Sequence, residues 1–493
     1  MHYCETSDKL HEECGVFGIF SRDDHDNVAL NTYWGLFALQ HRGQESAGIA
    51  VTDGTVMDIQ RGMGLVNEVF RHGVPGMPAH IAIGHVRYST TGSSLLRNTQ
   101  PLLVTYSGGH ISLSHNGNLT NARELRIELE QQGSVFQTSI DSEVIVNLIS
   151  RSNKATVEER IMESLSRVKG AYCLTVMTED KLIGVRDPQG FRPLCIGRLH
   201  DGWVLASESC ALDTIGAELI RDVEPGEMVV IDDTGLHSLS LAPSDRRKAL
   251  CVFEYIYFAR PDSVIDRQSV HQARFSMGRQ LAKESGFKAD IVISVPDSGT
   301  TAALGFSCES GIPFAEGLLK NRYIGRTFIQ PEQKKRDTSV RLKLNAVSSV
   351  VKGKSVIMVD DSIVRGTTSG KIVRMLKEAG AVKVHMCVSS PPIGFPCFYG
   401  IDTAVRKELI AASKQVEDIR QFIGADSLYY LSLEGLMRAM PALRPDAMCY
   451  ACFNSDYPCA TPSGAETGGA ENEDNKYVFE ANYRTGGAGY GGE

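Results

Sequence analysis

Apolar and polar positions change rhythm once along this 493-residue chain. From residue 14 to about residue 241, apolar runs of strand length mix with helix-period stretches without strict alternation. Strand-like runs occupy residues 14–20, 80–85 and 110–115, and strands dominate again from 171 to 230. Residues 27–40 repeat at helical spacing and place Ala29, Leu30, Tyr33, Trp34 and Phe37 on one face. A second helix-period stretch starts at Asn121 and stops near Gly133. The mixture predicts an α+β unit with stacked sheets.

Residues 242–248 turn polar and read as a linker. Beyond them the rhythm becomes strand, turn, helix. Residues 290–295 are apolar and lead into Pro296-Asp-Ser-Gly299. Residues 355–359 are apolar and lead into Asp360-Asp361. Residues 369–379 carry Ile372, Val373, Leu376 and Ala379 at helical spacing, and residues 382–388 form the next strand. Such alternation predicts an α/β unit whose parallel sheet has helices on both faces and ligands at the carboxyl ends of its strands. After Cys459 the chain turns to Gly, Ala, Glu and Asn, which predicts a disordered tail. The expected units are 1–13, 14–241, 249–459 and 460–493.

Composition narrows the class. Apolar content of 42% and charged content of 22% suit a globular enzyme. A net charge of −8 argues against nucleic acid as a partner. No apolar run approaches the roughly 18 residues that span a membrane. The first 13 residues are polar and acidic, with no apolar signal region. They read as a propeptide, and the compartment as cytoplasmic. Twelve cysteines in such a chain point to catalysis or metal before disulfides.

Cys14 opens its strand instead of closing it. If residues 1–13 are removed, the thiol gains a neighbouring α-amino group. That group has an ordinary pKa of about 7.7–8.0, so it is a base at neutral pH. The competing reading is a buried cysteine that begins a core strand.

The most specific motif is Val356-Ile-Met-Val-Asp-Asp-Ser-Ile-Val-Arg-Gly-Thr-Thr-Ser369. An apolar strand delivers two carboxylates suited to ribose hydroxyls or Mg²⁺. A glycine turn, three hydroxyls and a helix start then make an anion site. This stretch resembles the phosphoribosyl-pyrophosphate motif of type I phosphoribosyltransferases. The resemblance implies that Arg365, Gly366, Thr367, Thr368 and Ser369 grip the 5-phosphate. It implies one Mg²⁺ per subunit at Ser298, Asp360 and Asp361, with residues 296–299 as the pyrophosphate loop. Residues 320–345 hold eight Lys or Arg and two acids. They are similar to the family's flap; alone they would read as a solvated charged loop.

In the first half, Gln40-His-Arg-Gly-Gln44, Gly84-His-Val-Arg-Tyr-Ser-Thr90 and Ser114-His-Asn-Gly-Asn118 resemble the class II glutamine amidotransferases, which are αββα N-terminal-nucleophile hydrolases. The resemblance implies Cys14 as nucleophile and base, Asn116 and Gly117 as oxyanion hole, and Arg87 and Asp141 as the holders of glutamine. Asp141 is also a good N-cap for the helix after it. The glucosamine-phosphate synthases share this half, but the motif at Asp360-Asp361 excludes them.

A glutaminase joined to a phosphoribosyltransferase resembles the amidophosphoribosyltransferase family, in the branch with a propeptide and a four-iron four-sulfur cluster. Further matches are residues 185–194, Ser207-Glu-Ser209 and residues 257–263. The resemblance implies glutamine and phosphoribosyl pyrophosphate as substrates, purine nucleotides as inhibitors, a homotetramer, and Tyr257 and Arg260 as coupling residues. It implies one 4Fe-4S cluster per subunit on Cys251, Cys397, Cys449 and Cys452. By spacing, only Cys449 and Cys452 suggest a metal, and zinc suits them as well as iron. Cys459 has no assigned role. A rival reading is a regulator that binds the phosphosugar without catalysis; loss of Cys14 or its partners would favour it, and all are present.

Overall fold

The computed structural model describes residues 14–23, 26–88, 92–241, 247–321, 344–401 and 406–462. The expected propeptide, most of the linker, residues 322–343 of the expected flap and residues 463–493 of the tail lie outside the described residues.

In the first half the strands are β1 (Gly15–Phe20), β2 (Ser46–Thr52), β3 (Met57–Met63), β4 (Ile81–Arg87), β5 (Leu102–Tyr106), β6 (Gly109–Leu119), β7 (Gly170–Met177), β8 (Leu182–Arg186), β9 (Cys195–Leu199), β10 (Gly202–Ala206), β11 (Glu218–Asp222), β12 (Glu227–Asp232) and β13 (Gly235–Ser240). They form two antiparallel sheets, ordered β11-β9-β10-β1-β4-β2-β3 and β13-β12-β8-β7-β6-β5. Side chains alternate between the two faces, so the central strands, which are buried on both, are largely apolar, whereas the edge strands β3, β11 and β13 carry polar residues. In β1, Val16 and Phe20 face the second sheet and pack with Met177, Leu182 and Val229. Phe17 and Ile19 face the other way, onto the helices Val28–Ala38 and Ser209–Ile215. The helices Ala122–Gln131, Ser142–Arg151 and Val157–Leu165 cover the far side of the second sheet. The result is a helix–sheet–sheet–helix sandwich.

Two local expectations change. The helix Val28–Ala38 buries Val28, Ala29, Thr32, Gly35 and Leu36, and leaves Leu30, Trp34 and Phe37 40–47% exposed. A Cβ at Gly35 would lie 2.3 Å from the Phe17 ring, so the small side of the helix packs down and the bulky side turns out. The run expected at 110–115 continues as strand to Leu119, which places Asn116 and Gly117 inside β6.

The second half begins with β14 (Leu250–Cys251), the hairpin of β15 (Val264–Ile265) and β16 (Gln268–Ser269), and then β17 (Ile291–Ser294). β18 (Leu318–Lys320) pairs with β19 (Leu344–Ala346), so the chain leaves and re-enters at one place around the expected flap. β20 (Ser355–Asp360), β21 (Lys383–Val388) and β22 (Ser427–Tyr430) complete a parallel sheet in the order β17-β20-β21-β22. β23 (Met448–Cys449) returns to pair with β14. The helices Val270–Ser285 and Thr300–Ser310 pack on one face of the sheet, and Thr367–Glu378 and Val416–Ile423 on the other.

The first two of these helices touch backbone to backbone. A Cβ on Gly278 would lie 1.8 Å from the Ala302 carbonyl oxygen, and one on Gly305 would lie 1.9 Å from that of Phe275. Glycine to alanine ordinarily gains about 1 kcal/mol in a helix. Here overpacking reverses the sign. Gly278→Ala is expected to cost about 3 kcal/mol in urea unfolding. Gly370→Ala, whose Cβ would have its nearest neighbour at 3.5 Å, is expected to be neutral or stabilising.

Candidate active site

Cys14 precedes β1, and the register Gly15↔Val86 sets it beside Arg87 at the end of β4. Its thiol is buried and donates to the Tyr88 carbonyl at 3.4 Å. Burial pushes the thiol pKa up to about 11, although the Tyr88 contact and the Arg87 charge work downward. Glu45 and Asp141 lie within electrostatic reach and push it upward. Cys14, Arg87 and Asp141 therefore converge on one place. Arg87 is buried, and its Nη1 and Nη2 donate to the Ser93 and Gly92 carbonyls at 3.3 and 3.4 Å.

β6 supplies the facing wall. Both polar atoms of the Asn116 amide are buried without a partner among the described residues. That costs free energy unless a ligand completes them. Gly117 has φ +147°, and a Cβ there would lie 2.1 Å from the Ala171 carbonyl oxygen, so only glycine fits. Asp141 occupies the N-cap position of helix Ser142–Arg151 but makes no capping bond. It accepts instead from the Leu119 N–H at 2.9 Å and lies 3.6 Å from His115 Nδ1. Burial alone would raise its pKa; His115 and the Leu119 amide outweigh burial and hold it below the ordinary value. His85 stands behind this wall. Burial pushes its pKa down to about 3, so it is a neutral ring. Its Nε2–H donates to the His115 carbonyl at 3.0 Å, next to Asn116.

At the carboxyl edge of the parallel sheet, β17 and β20 run in register as Ser294↔Val359, so their loops emerge together. Asp360 and Asp361 are 2% and 1% exposed. The Ser298 hydroxyl donates to Asp361, and so does Ser362 at 2.6 Å. Gly299 packs against the end of β20, where a Cβ would lie 2.6 Å from the Val359 carbonyl oxygen. Gly366, at φ +80°, turns the chain into helix Thr367–Glu378, whose first turn holds Thr367, Thr368 and Ser369. The Arg365 side chain reaches back to an ion pair with Glu408.

The four cysteines also meet. Cys251 and Cys449 are paired residues of β14 and β23. Burial raises the Cys452 thiol well above its ordinary value, and the charges of Cys251, Cys449 and Cys397 raise it further. The main chain joins them as well, for the Gly394 and Phe395 N–H groups both donate to the Cys452 carbonyl at 3.1 Å.

Residues 85–214 match a glutamine amidotransferase domain, and residues 276–391 match a phosphoribosyl transferase domain. The chain is 53% identical over 454 residues to an amidophosphoribosyltransferase of Bacillus subtilis, covering 91% of this chain and 94% of that one. It is 54% identical over 456 residues to one of Archaeoglobus fulgidus, covering 91% and 98%. A solved structure of the B. subtilis glutamine phosphoribosylpyrophosphate amidotransferase, complexed with ADP and GMP, superposes with a TM-score of 0.86 at 51% identity, covering 92% of this chain and 98% of that one. The chain belongs to the amidophosphoribosyltransferase family. It is a pentosyl-transferring glycosyltransferase with a glutaminase half-reaction. Glutamine-derived ammonia displaces pyrophosphate from 5-phosphoribosyl 1-pyrophosphate and gives 5-phosphoribosylamine, the first committed step of purine synthesis. Among the described residues no helix is long and apolar enough to cross a membrane.

An amidophosphoribosyltransferase has two reactions to join, and its halves meet across buried charge. Arg42 donates from Nη1 and Nη2 to Glu254 at 2.9 and 2.8 Å, and from Nη1 to Glu208 at 2.5 Å. Glu208 also accepts from the Arg260 N–H at 2.9 Å and the Ser263 hydroxyl at 2.7 Å. Arg260 thus meets the first half through its backbone, while its side chain pairs with Asp262. Tyr257 is half-buried and packs edge-on against Phe258. Arg42 and Glu208 lie in motifs the sequence singles out, but neither they nor Glu254 received a role, because nothing in their local sequence says that three distant segments meet.

Burial works to raise the Glu208 pKa, but His41 and Arg42 outweigh it and hold it well below the ordinary value. A depressed carboxyl contributes stability above its unfolded pKa, about 4.3, and loses it as pH falls toward the folded value. Glu208→Gln is expected to cost about 3 kcal/mol near pH 7. That gap is expected to narrow near pH 3.5 in parallel urea titrations.

Proposed function

We propose that residues 14–241 carry the glutaminase and residues 249–459 the phosphoribosyl transfer, with Cys14 made the first residue by removal of residues 1–13. The buried Cys14 thiol within electrostatic reach of Arg87 and Asp141 is the observation that carries this reading, and the orphaned Asn116 amide supports it. A thiol at about pKa 11 is inert near neutrality without a base. The freed α-amino group is that base.

Cys14 Sγ attacks the side-chain carbon of glutamine and passes its proton to the α-amino group. Asn116 Nδ2–H and the Gly117 N–H receive the oxyanion. Arg87 pairs with the glutamine α-carboxylate and Asp141 with its α-ammonium. The proton moves on to the departing nitrogen, ammonia leaves, and water hydrolyses the γ-glutamyl thioester to glutamate. Ammonia then attacks C1 of the ribose as pyrophosphate departs. Ammonium, the dominant form near neutrality, is not nucleophilic, so the transfer must stay out of water.

The loop of Arg365, Gly366, Thr367, Thr368 and Ser369 presents N–H groups and hydroxyls to the 5-phosphate. Asp360, Asp361 and Ser298 suit Mg²⁺, a hard cation that takes oxygen ligands. Bound there, it would neutralise the departing pyrophosphate. Cys251, Cys397, Cys449 and Cys452 suit an iron–sulfur cluster. Four thiolates are the ligand set such a cluster takes, and Cys251, Cys397 and Cys449 all lie within electrostatic reach of Cys452. Purine-nucleotide inhibition is supported by the ADP and GMP bound to the B. subtilis relative. A homotetramer and a cytoplasmic location complete the proposal.

Cys14→Ala is expected to abolish glutamine-dependent synthesis and to leave synthesis from added ammonia within about twofold of wild type. Intact mass of the active enzyme should begin at Cys14. Fully active protein that retains residues 1–13 would sink the N-terminal base. For the cluster, anaerobically purified protein should be brown, with about four irons and four sulfides per chain. Cys452→Ser should lose that colour. Colourless, zinc-containing protein of full activity would refute the cluster.

A further inference from the structure

Arg42 is fully buried, and its nitrogens donate to Cys14, Glu208 and Glu254 among the described residues. Nε donates to the Cys14 carbonyl at 3.2 Å. Nη1 and Nη2 form a fork onto the two oxygens of Glu254, and Nη1 also reaches Glu208. A bidentate pair fixes the plane of a guanidinium, and fixing that plane aims Nε–H. Glu254 is fully buried and belongs to the second half, in the π-helical turn Glu254–Phe258 that follows Cys251.

The contact on Cys14 has a geometric consequence. An N-terminal residue has no peptide bond before it. Its carbonyl is the one main-chain handle by which its thiol and α-amine can be oriented together. In this fold that carbonyl is held by Arg42.

We propose that Glu254 is a positioning residue for glutamine hydrolysis: acting through Arg42, a carboxylate of the phosphoribosyltransferase half orients the nucleophile of the glutaminase half. The glutaminase site is thus completed by the other half of the chain. The same turn is pinned from behind by Arg274, which donates to the Tyr255 and Ala259 carbonyls at 2.7 and 2.8 Å. Among the carboxylates acting on Arg274, Asp361 of the pyrophosphate site has the largest influence. The proposal rests on the reading of Cys14 as nucleophile.

The test uses full-length enzyme and two assays, glutamate release from glutamine and synthesis from added ammonia. Glu254→Gln is expected to lower kcat for glutamate release about ten- to hundredfold, the scale of a small misplacement of a reacting group. The KM for glutamine should stay within about threefold, and ammonia-dependent synthesis within about twofold. The combined Arg42→Gln/Glu254→Gln chain carries no unpaired buried charge from this pair, and it decides the matter where Glu254→Gln alone fails to fold. Its kcat for glutamate release should match the poorer single variant, because both substitutions cut one connection. Wild-type kcat in Glu254→Gln would overturn the proposal. So would multiplying losses in the combined variant, or equal loss of both assays in that variant, which marks a general structural role. Glutamate release surviving in Cys14→Ala would instead remove the nucleophile reading beneath it, without reference to Glu254.

Discussion

Two arginines and two glutamates, all without solvent, hold the halves of this enzyme together. Arg42 and Arg192 come from the first half, Glu208 from the same half and Glu254 from the second. Buried ions cost several kcal/mol each unless paired and hydrogen-bonded. The four are mutually neutral, so the arrangement is stable only when both halves are present and in register. The junction is consequently selective: a rotation of one half against the other would strand charge in a low dielectric.

The junction also touches the chemistry on both sides. Asn118 Nδ2 donates to the Phe398 carbonyl at 2.9 Å, and Arg192 Nη2 to the Tyr399 carbonyl at 2.6 Å. A Cβ on Gly400 would lie 3.5 Å from the Gly117 carbonyl carbon. The segment after Cys397 therefore rests on the strand that holds the Asn116 amide. Residues 398–400, which follow Cys397, thus lie against β6 although some 280 positions separate them in the chain.

Both sites use strand ends as mounts. Cys14 immediately precedes β1 and Arg87 closes β4, in adjacent register. Asp360 closes β20, and the Ser298 loop emerges beside it from β17. A strand interior is locked by ladder bonds and by packing on two faces. The residue at its end is held firmly, yet its outer side is free to meet a ligand. Preorganisation of this kind lowers the reorganisation a reaction requires.

Much of this was legible in the sequence because it is local. The Asp360-Asp361 motif needs one strand, one turn and one helix start, all contiguous. The position of Cys14 at the head of an apolar strand and the alternating rhythm of the second half are read the same way. One expectation and one competing reading also changed for local causes. Helical spacing identified an apolar face around Leu30, Trp34 and Phe37, but Gly35 packing on Phe17 decided which face turned inward. The capping propensity of Asp141 is real, but a carboxylate that can accept from Leu119 and face His115 is drawn away from its own helix. The junction was legible only as motifs without a role, apart from the coupling expected of Tyr257 and Arg260. Arg42, Arg192, Glu208 and Glu254 are separated by up to 212 positions, and nothing local in their sequence pairs one with another. What the sequence determined alone was chemistry carried by neighbouring residues, since their spacing limits where they can point. What the tertiary structure decided was which charges lose water together, because burial is a property of the whole packed chain.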